Sequence, residues 1–216
     1  MRHTIRRSLG PAVAMSALWV LPAAAQGDQR PAGWDVVFDD PAAADSSLFF
    51  VSMEPGWHIT SGPAALLYDP ARSAAGEFRV EAEIFLFPGT SDEGFGLMFG
   101  GADLGSAVKQ SYFEFLLRRD GGFLVAHRAG SELHVLTPWA VHEAALAATG
   151  SDEPVLNTLM VIAGADVVSF VINGEEVARF PRSSGMDLDG PVGLRVGDDL
   201  NLHVRSLTVA TEGAGD

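Results

Sequence analysis

The sequence predicts an all-β protein, a two-sheet antiparallel β-sandwich. Three observations carry this. The clearest alternation of apolar and polar residues runs from Gly76 to Phe87, the period of a strand with one buried and one wet face. Asn173-Gly174 sits between two short apolar runs, and Asp120-Gly121-Gly122 between two more, so both stretches have the chemistry of tight hairpins. Short runs rich in branched and aromatic residues recur along the whole chain, separated by Gly, Pro, Asn and Asp, and no long helical period interrupts them.

Taken in order, residues 1–25 read as an export signal. Arg2, Arg6 and Arg7 give a basic start, Leu9 to Leu21 is small and apolar, and Ala23-Ala24-Ala25 is a small-residue cleavage site. The mature chain is therefore expected to begin near Gln26. Arg6-Arg7 leaves both the general and the twin-arginine export routes open. Residues 26–34 form a polar linker, 35–210 the sandwich domain and 211–216 a tail.

Residues 34–38 make the first strand, closed by Asp39-Asp40-Pro41. Residues 48–51, 57–60 and 64–68 are short strands. The alternating run places Phe78, Val80, Ala82, Ile84 and Leu86 toward a core, with Glu77, Arg79, Glu81 and Glu83 opposite. From Glu93 to Gly101, Phe95, Leu97 and Phe99 share one side while Gly94, Gly96, Met98 and Gly100 share the other. Bare glycines on a strand imply close approach by backbone or ligand. Residues 111–119 and 123–128 form the first hairpin, followed by a strand at 132–136. Thr137-Pro138-Trp139 is expected to turn a corner into one helical turn between His142 and Thr149. Residues 157–163, the hairpin 167–180, and strands at 192–196 and 200–209 complete the set.

The chain carries 28 acidic and 14 basic residues, a net charge of −14, and the signal would take three of the arginines with it. Such a surface repels nucleic acid and anionic membranes and suits neutral sugars, cations or basic partners. There is no cysteine, which excludes thiol catalysis and thiolate zinc sites and leaves stability to the hydrophobic core. The missing cysteine also excludes an acylated N-terminal anchor, so the exported protein is expected free in the periplasm or the medium.

The order of these signals resembles the concanavalin A-like lectin/glucanase jelly roll, in the exported bacterial version related to laminin-G and keto-disaccharide hydrolase-like domains. The residues that carry the resemblance are Tyr112-Phe-Glu-Phe, Asp120-Gly121, 123–128, Trp139, 157–161, Val171-Ile-Asn-Gly174 and Gly190-Pro-Val-Gly-Leu194. It covers roughly residues 35–210. It implies a curved sandwich with a concave face, on a fold that hosts lectins, hydrolases and purely structural domains. The closely spaced Glu-x-Asp-x-x-Glu strand of the glucanase branch is missing.

On the strand 111–119, Phe113, Phe115 and Leu117 are the better core residues, with Arg119 on the same side. Tyr112, Glu114 and Arg118 are then expected together on a solvent-accessible concave face, with Arg128, His134 and Trp139 from neighbouring strands completing a ligand site. Tyrosine, carboxylate and guanidinium groups hydrogen-bond sugar hydroxyls while a ring stacks on the sugar. The same residues also suit a plain cross-strand ion pair of Glu114 with Arg118 or Arg128. Glu81 and Glu83, two residues apart on one face, have the spacing of a glycosidase acid/base pair but equally suit a wet sheet face. Trp57 and Trp139 suit either sugar platforms or plugs at the sandwich ends. His58, His127, His134 and His142 are too scattered for a local zinc motif. No cofactor is implied; Asp187, Asp189, Asp198 and Asp199, with Asp92, Glu93 and Asp103, would suit at most a structural calcium ion. Three functions follow: an exported, non-catalytic domain that binds carbohydrate or glycan; a hydrolase or lyase acting on a sugar derivative; or a structural, protein-interaction domain.

Overall fold

The structure, a computed structural model, describes residues 30–183 and 186–211. The expected signal peptide and its cleavage site lie outside the described residues. The strands are β1 (Asp35–Phe38), β2 (Leu48–Ser52), β3 (Trp57–Ser61), β4 (Ala65–Ala74), β5 (Phe78–Leu86), β6 (Phe95–Ala102) and β7 (Ser111–Leu117). They continue with β8 (Gly122–Ala129), β9 (Glu132–Val141), β10 (Val155–Ala163), β11 (Val167–Ile172), β12 (Glu175–Pro181), β13 (Gly190–Val196) and β14 (Asn201–Thr211). They form two antiparallel seven-stranded sheets: a front sheet in the order β1-β4-β13-β6-β7-β8-β9 and a back sheet in the order β12-β11-β10-β5-β14-β3-β2.

The alternation seen in the sequence is the reason the sheets stack. Phe78, Val80, Ala82, Ile84 and Leu86 of β5 face Phe95, Leu97, Phe99, Phe113, Phe115 and Leu117 of β6 and β7 in one continuous core. Phe170 of β11 crosses the gap, 6.1 Å from Phe99 and 5.2 Å edge-on from Phe115, so aromatic edges interlock the two layers.

Asn173 (φ 50°) and Gly174 (φ 89°) both occupy the left-handed region, as a two-residue hairpin turn requires. The Asn173 side chain does more than permit the turn. Its Oδ1 accepts from the Thr158 N–H (2.8 Å), and its Nδ2 donates to the Ala144 carbonyl and to Asn157 Oδ1, both at 2.7 Å. Buried Asn157 in turn exchanges two 2.9 Å bonds with the Leu146 backbone. These amides hold residues 142–149 as an irregular loop, where a helical turn was expected. A Cβ at Gly174 would meet nothing within 4 Å, so a side chain there costs only backbone strain. Gly174→Val should therefore destabilise by about 1 kcal/mol, lowering Tm by about 2–4 °C. A thermal unfolding curve that superimposes on wild type would refute this.

Two further expectations change. β4 runs to Ala74, well past the expected end at residue 68. Thr137-Pro138-Trp139 turns no corner; it continues β9, whose pairing with β8 shifts register twice.

Candidate functional site

Parity on β7 is as the sequence implies. Phe113, Phe115 and Leu117 point between the sheets, which leaves Tyr112, Glu114, Leu116 and Arg118 on the outer face of the front sheet. Across the ladder Tyr112 pairs with Arg128, and Glu114 lies between Met98 and Ala126. Trp139 reaches the same face through a register shift: Phe123 pairs with Ala140 and Val125 with Thr137, so Pro138 and Trp139 together oppose Leu124.

The face differs from expectation in its exposure. Tyr112 is 1% exposed and Glu114 3%. Tyr112 packs with Leu66, Tyr68 and Met98 on the outer face and with Leu104 from the loop after β6. Alternation distinguishes the two sides of a strand but cannot show that same-face neighbours and a distant loop cover one of them. Burial pushes the Tyr112 phenol up to about 12.

Glu114 takes neither Arg118 nor Arg128 as its ion-pair partner. Arg195 of β13 does this, its Nε 3.8 Å from Glu114 Oε2, with side chains 9% and 3% exposed. Arg195 also bonds the carboxylate of Asp39, just beyond β1, and so links two acids far apart in the sequence. Burial raises the Glu114 pKa, and the nearby charges of Arg195 and Arg128 oppose that rise. Burial works against the Arg195 charge, yet Asp39, Tyr112 and Glu114 together leave its pKa raised. The sequence does hold a signal for Arg195: it stands alone among Val192, Leu194 and Val196 on an otherwise apolar strand. Asp39 carries no such mark, because acids in turns are routine.

Four buried polar atoms on this face have no hydrogen-bond partner: Glu114 Oε2, Arg195 Nη1, Arg118 Nε and Arg128 Nε. Arg118 instead lies over the Trp139 ring, 4.0 Å from its centroid. A Cβ at Gly94 would come within 3.0 Å of that ring and 3.1 Å of Leu116, so the bare glycine on this side makes room for Trp139. Trp139 is thus seated between Arg118, Gly94 and Leu116, as a packed residue more than an open platform.

His134 does not join the group. It pairs with His127, whose ring stacks on core-facing Phe113 at 4.4 Å, and the two imidazoles stack at 5.9 Å on the side away from Tyr112. Burial and the neighbouring His134 lower the His127 pKa. Its Nε2 lies 2.9 Å from Ser111 Oγ.

The remaining candidates have structural partners. Glu81 pairs with Arg79, and Glu83 with Arg205 and Ser206, on the outer face of the back sheet. The Arg205 bonds hold the Glu83 carboxyl below its ordinary value, the opposite of what a general acid needs. Trp57 packs edge-on against Trp34 at 4.9 Å, with Arg72 over both rings, which is the plug arrangement. Asp189 accepts from the Gly76 N–H, Asp187 from the Asp189 N–H and Asp198 from the Ala64 N–H. Among the described residues no three His, Asp or Glu side chains converge as metal ligands.

Two stacked antiparallel sheets in this strand order make a jelly-roll sandwich of the concanavalin A-like fold. Among solved structures, the carbohydrate-binding module CBM66 from Bacillus subtilis superposes with a TM-score of 0.59 at 15% identity, covering 83% of this chain and 96% of that one. A Bacillus subtilis protein of unknown function with a galectin-like fold gives 0.61 at 12% identity, covering 82% and 89%. A glycoside hydrolase family 16 endo-glucanase from Bacteroides ovatus gives 0.56 at 11% identity, covering 82% and 94%. Likeness at these identities establishes the fold. No protein-family model matches the chain, and no curated protein is significantly similar to it in sequence.

Proposed function

We propose that this protein is an exported, non-catalytic recognition domain that binds carbohydrate on the outer face of the front sheet. One observation supports the reading above others: buried, unpartnered polar atoms of Glu114, Arg118, Arg128 and Arg195 gather on that face. Unmet donors and an unmet acceptor spread along one face suit the hydroxyls of a glycan, which both accept and donate. The fold neighbours include a carbohydrate-binding module, which is consistent with this use of the scaffold. Export rests on the basic, apolar and small-residue order of residues 1–25, and the acidic surface argues against nucleic acid and anionic membranes as partners.

A hydrolase has less support. The raised pKa of Glu114 suits a general acid, but the second acid of the face, Asp39, is tied to Arg195. The test is calorimetric titration of the protein with a panel of soluble glycans. At least one should bind, Arg128→Ala should weaken it about tenfold or more, and Arg179→Ala on the back sheet should leave it unchanged. A panel without binders, or an Arg128→Ala curve that matches wild type, would overturn the reading.

A further inference from the structure

Arginine partners across the molecule single out one pair. Arg30, Arg79, Arg179, Arg195 and Arg205 each bond a carboxylate, and Arg72, Arg119 and Arg182 each bond a backbone carbonyl. Arg118 and Arg128 alone among the described arginines have no oxygen partner, in a chain with twice as many acids as bases. Both are half-buried, and both stand on the outer face of the front sheet. The acids of the adjoining turns are engaged elsewhere: Asp120 accepts from the Gly122 N–H, and Glu132 faces His134 at 3.5 Å.

Their placement is as telling as their lack of partners. Arg128 sits opposite Tyr112 at the start of β7, and Arg118 follows the end of the same strand. At the rise of an extended strand the two lie about 20 Å apart along it. Between them the face is closed by the buried Glu114–Arg195 pair, with Asp39 as a second carboxylate on Arg195. The result is a strip with a guanidinium that bonds no oxygen at each end, Arg118 lying over Trp139, and an ion-paired middle. An unpaired guanidinium is a ready fork for a carboxylate or sulfate, whose two oxygens it meets with two N–H groups.

We propose that the ligand of this face is an acidic glycan chain, one whose successive uronate or sulfate groups reach Arg128 at one end and Arg118 at the other. This rests on the carbohydrate reading above and narrows it. A single sugar cannot span both arginines, so the recognised unit is an oligosaccharide. The overall charge of −14 works against loose adherence of polyanions elsewhere on the surface, so any such binding reports this strip.

The experiment titrates the protein with oligogalacturonate, with the same oligomer fully methyl-esterified, and with chondroitin sulfate, at low and moderate salt. We expect one of the two polyanions to bind, and to bind more weakly as salt rises. The methyl ester, which keeps the sugars and loses the charges, should bind at least about tenfold more weakly than the free acid if the carboxylate chain is the ligand. Arg118→Gln and Arg128→Gln should each cost about tenfold or more, while Arg128→Lys, which keeps the charge, should recover part of the loss. Wild-type melting temperatures would show that the variants are folded. Failure of both polyanions to bind, or glutamine variants that bind like wild type, overturns the acidic-chain proposal. If neutral glycans bind in that case, the carbohydrate reading survives without it; if nothing binds, both fall together.

Discussion

Replacing Arg195 by methionine is expected to cost about 3 kcal/mol of unfolding free energy, more than its own contacts would suggest, because it strands Glu114. The side chain of Glu114 is 3% exposed, its Oε2 lacks a hydrogen bond, and Arg195 is its ion-pair partner. Glu114→Gln in the same background should restore a large part of the loss, since the charge that had been stranded is gone. The pH dependence gives a second readout. Burial raises the folded pKa of Glu114 above the ordinary 4.5, so the folded protein holds this proton more tightly than the unfolded chain. The contribution of Glu114 to stability is then fully present below about pH 4.5 and lost as pH rises through the folded pKa. Without Arg195 the folded pKa rises further and the decline extends to higher pH; Glu114→Gln abolishes this part of the profile. Urea unfolding of the four forms over a series of pH values upward from the ordinary carboxylate range measures both effects. A loss below about 1 kcal/mol with an unchanged pH profile would show that the pair is not coupled as the geometry implies.

Arg119→Met should be comparably damaging for a different reason. Arg119 is 6% exposed at the end of the β7–β8 hairpin, on the core side that its parity with Phe113 and Phe115 implies. Its Nε donates to the Ser91 carbonyl (3.2 Å) and its Nη2 to the Phe87 carbonyl (3.1 Å), while its own carbonyl accepts from Ala148 N–H at 2.8 Å. One residue thus ties the hairpin to the loop after β5 and to the 142–149 loop. Methionine keeps the volume and removes two charge-assisted bonds to part-buried carbonyls, an expected loss of about 3 kcal/mol and of about 6–12 °C in Tm. Lysine should recover only part, because it cannot present the planar fork. A Tm within about 2 °C of wild type would refute the role assigned to the guanidinium.

The strands were readable because their signal is local. Alternation in 78–86 needs only the period-two geometry of an extended chain and one wet face, and the Asn173-Gly174 turn needs only two left-handed residues. The 137–139 segment was misread because Pro138 suggests a corner. β9 is an edge strand, where a proline is tolerated, and the register shift around it is set by pairing with β8. The 142–149 loop was misread for a similar reason: what fixes it is a set of amide bonds from Asn157 and Asn173, residues with no helix or loop preference for a distant segment.

The candidate face divides along the same line. By itself the sequence determined that β7 turns Phe113 and Phe115 inward and Tyr112, Glu114 and Arg118 outward, because side-chain direction on a strand follows from parity alone. Only the tertiary structure decided what those outward residues meet. Arg195 comes to Glu114 because β13, late in the chain, enters the front sheet beside β6; Asp39 comes to Arg195 because β1 closes the edge beyond β4. Leu104 covers Tyr112 from a loop, a bulge in β9 delivers Trp139, and cross-strand pairing with His127 carries His134 to the other side. Each of these depends on strand order and register between segments far apart in sequence, which no local pattern encodes.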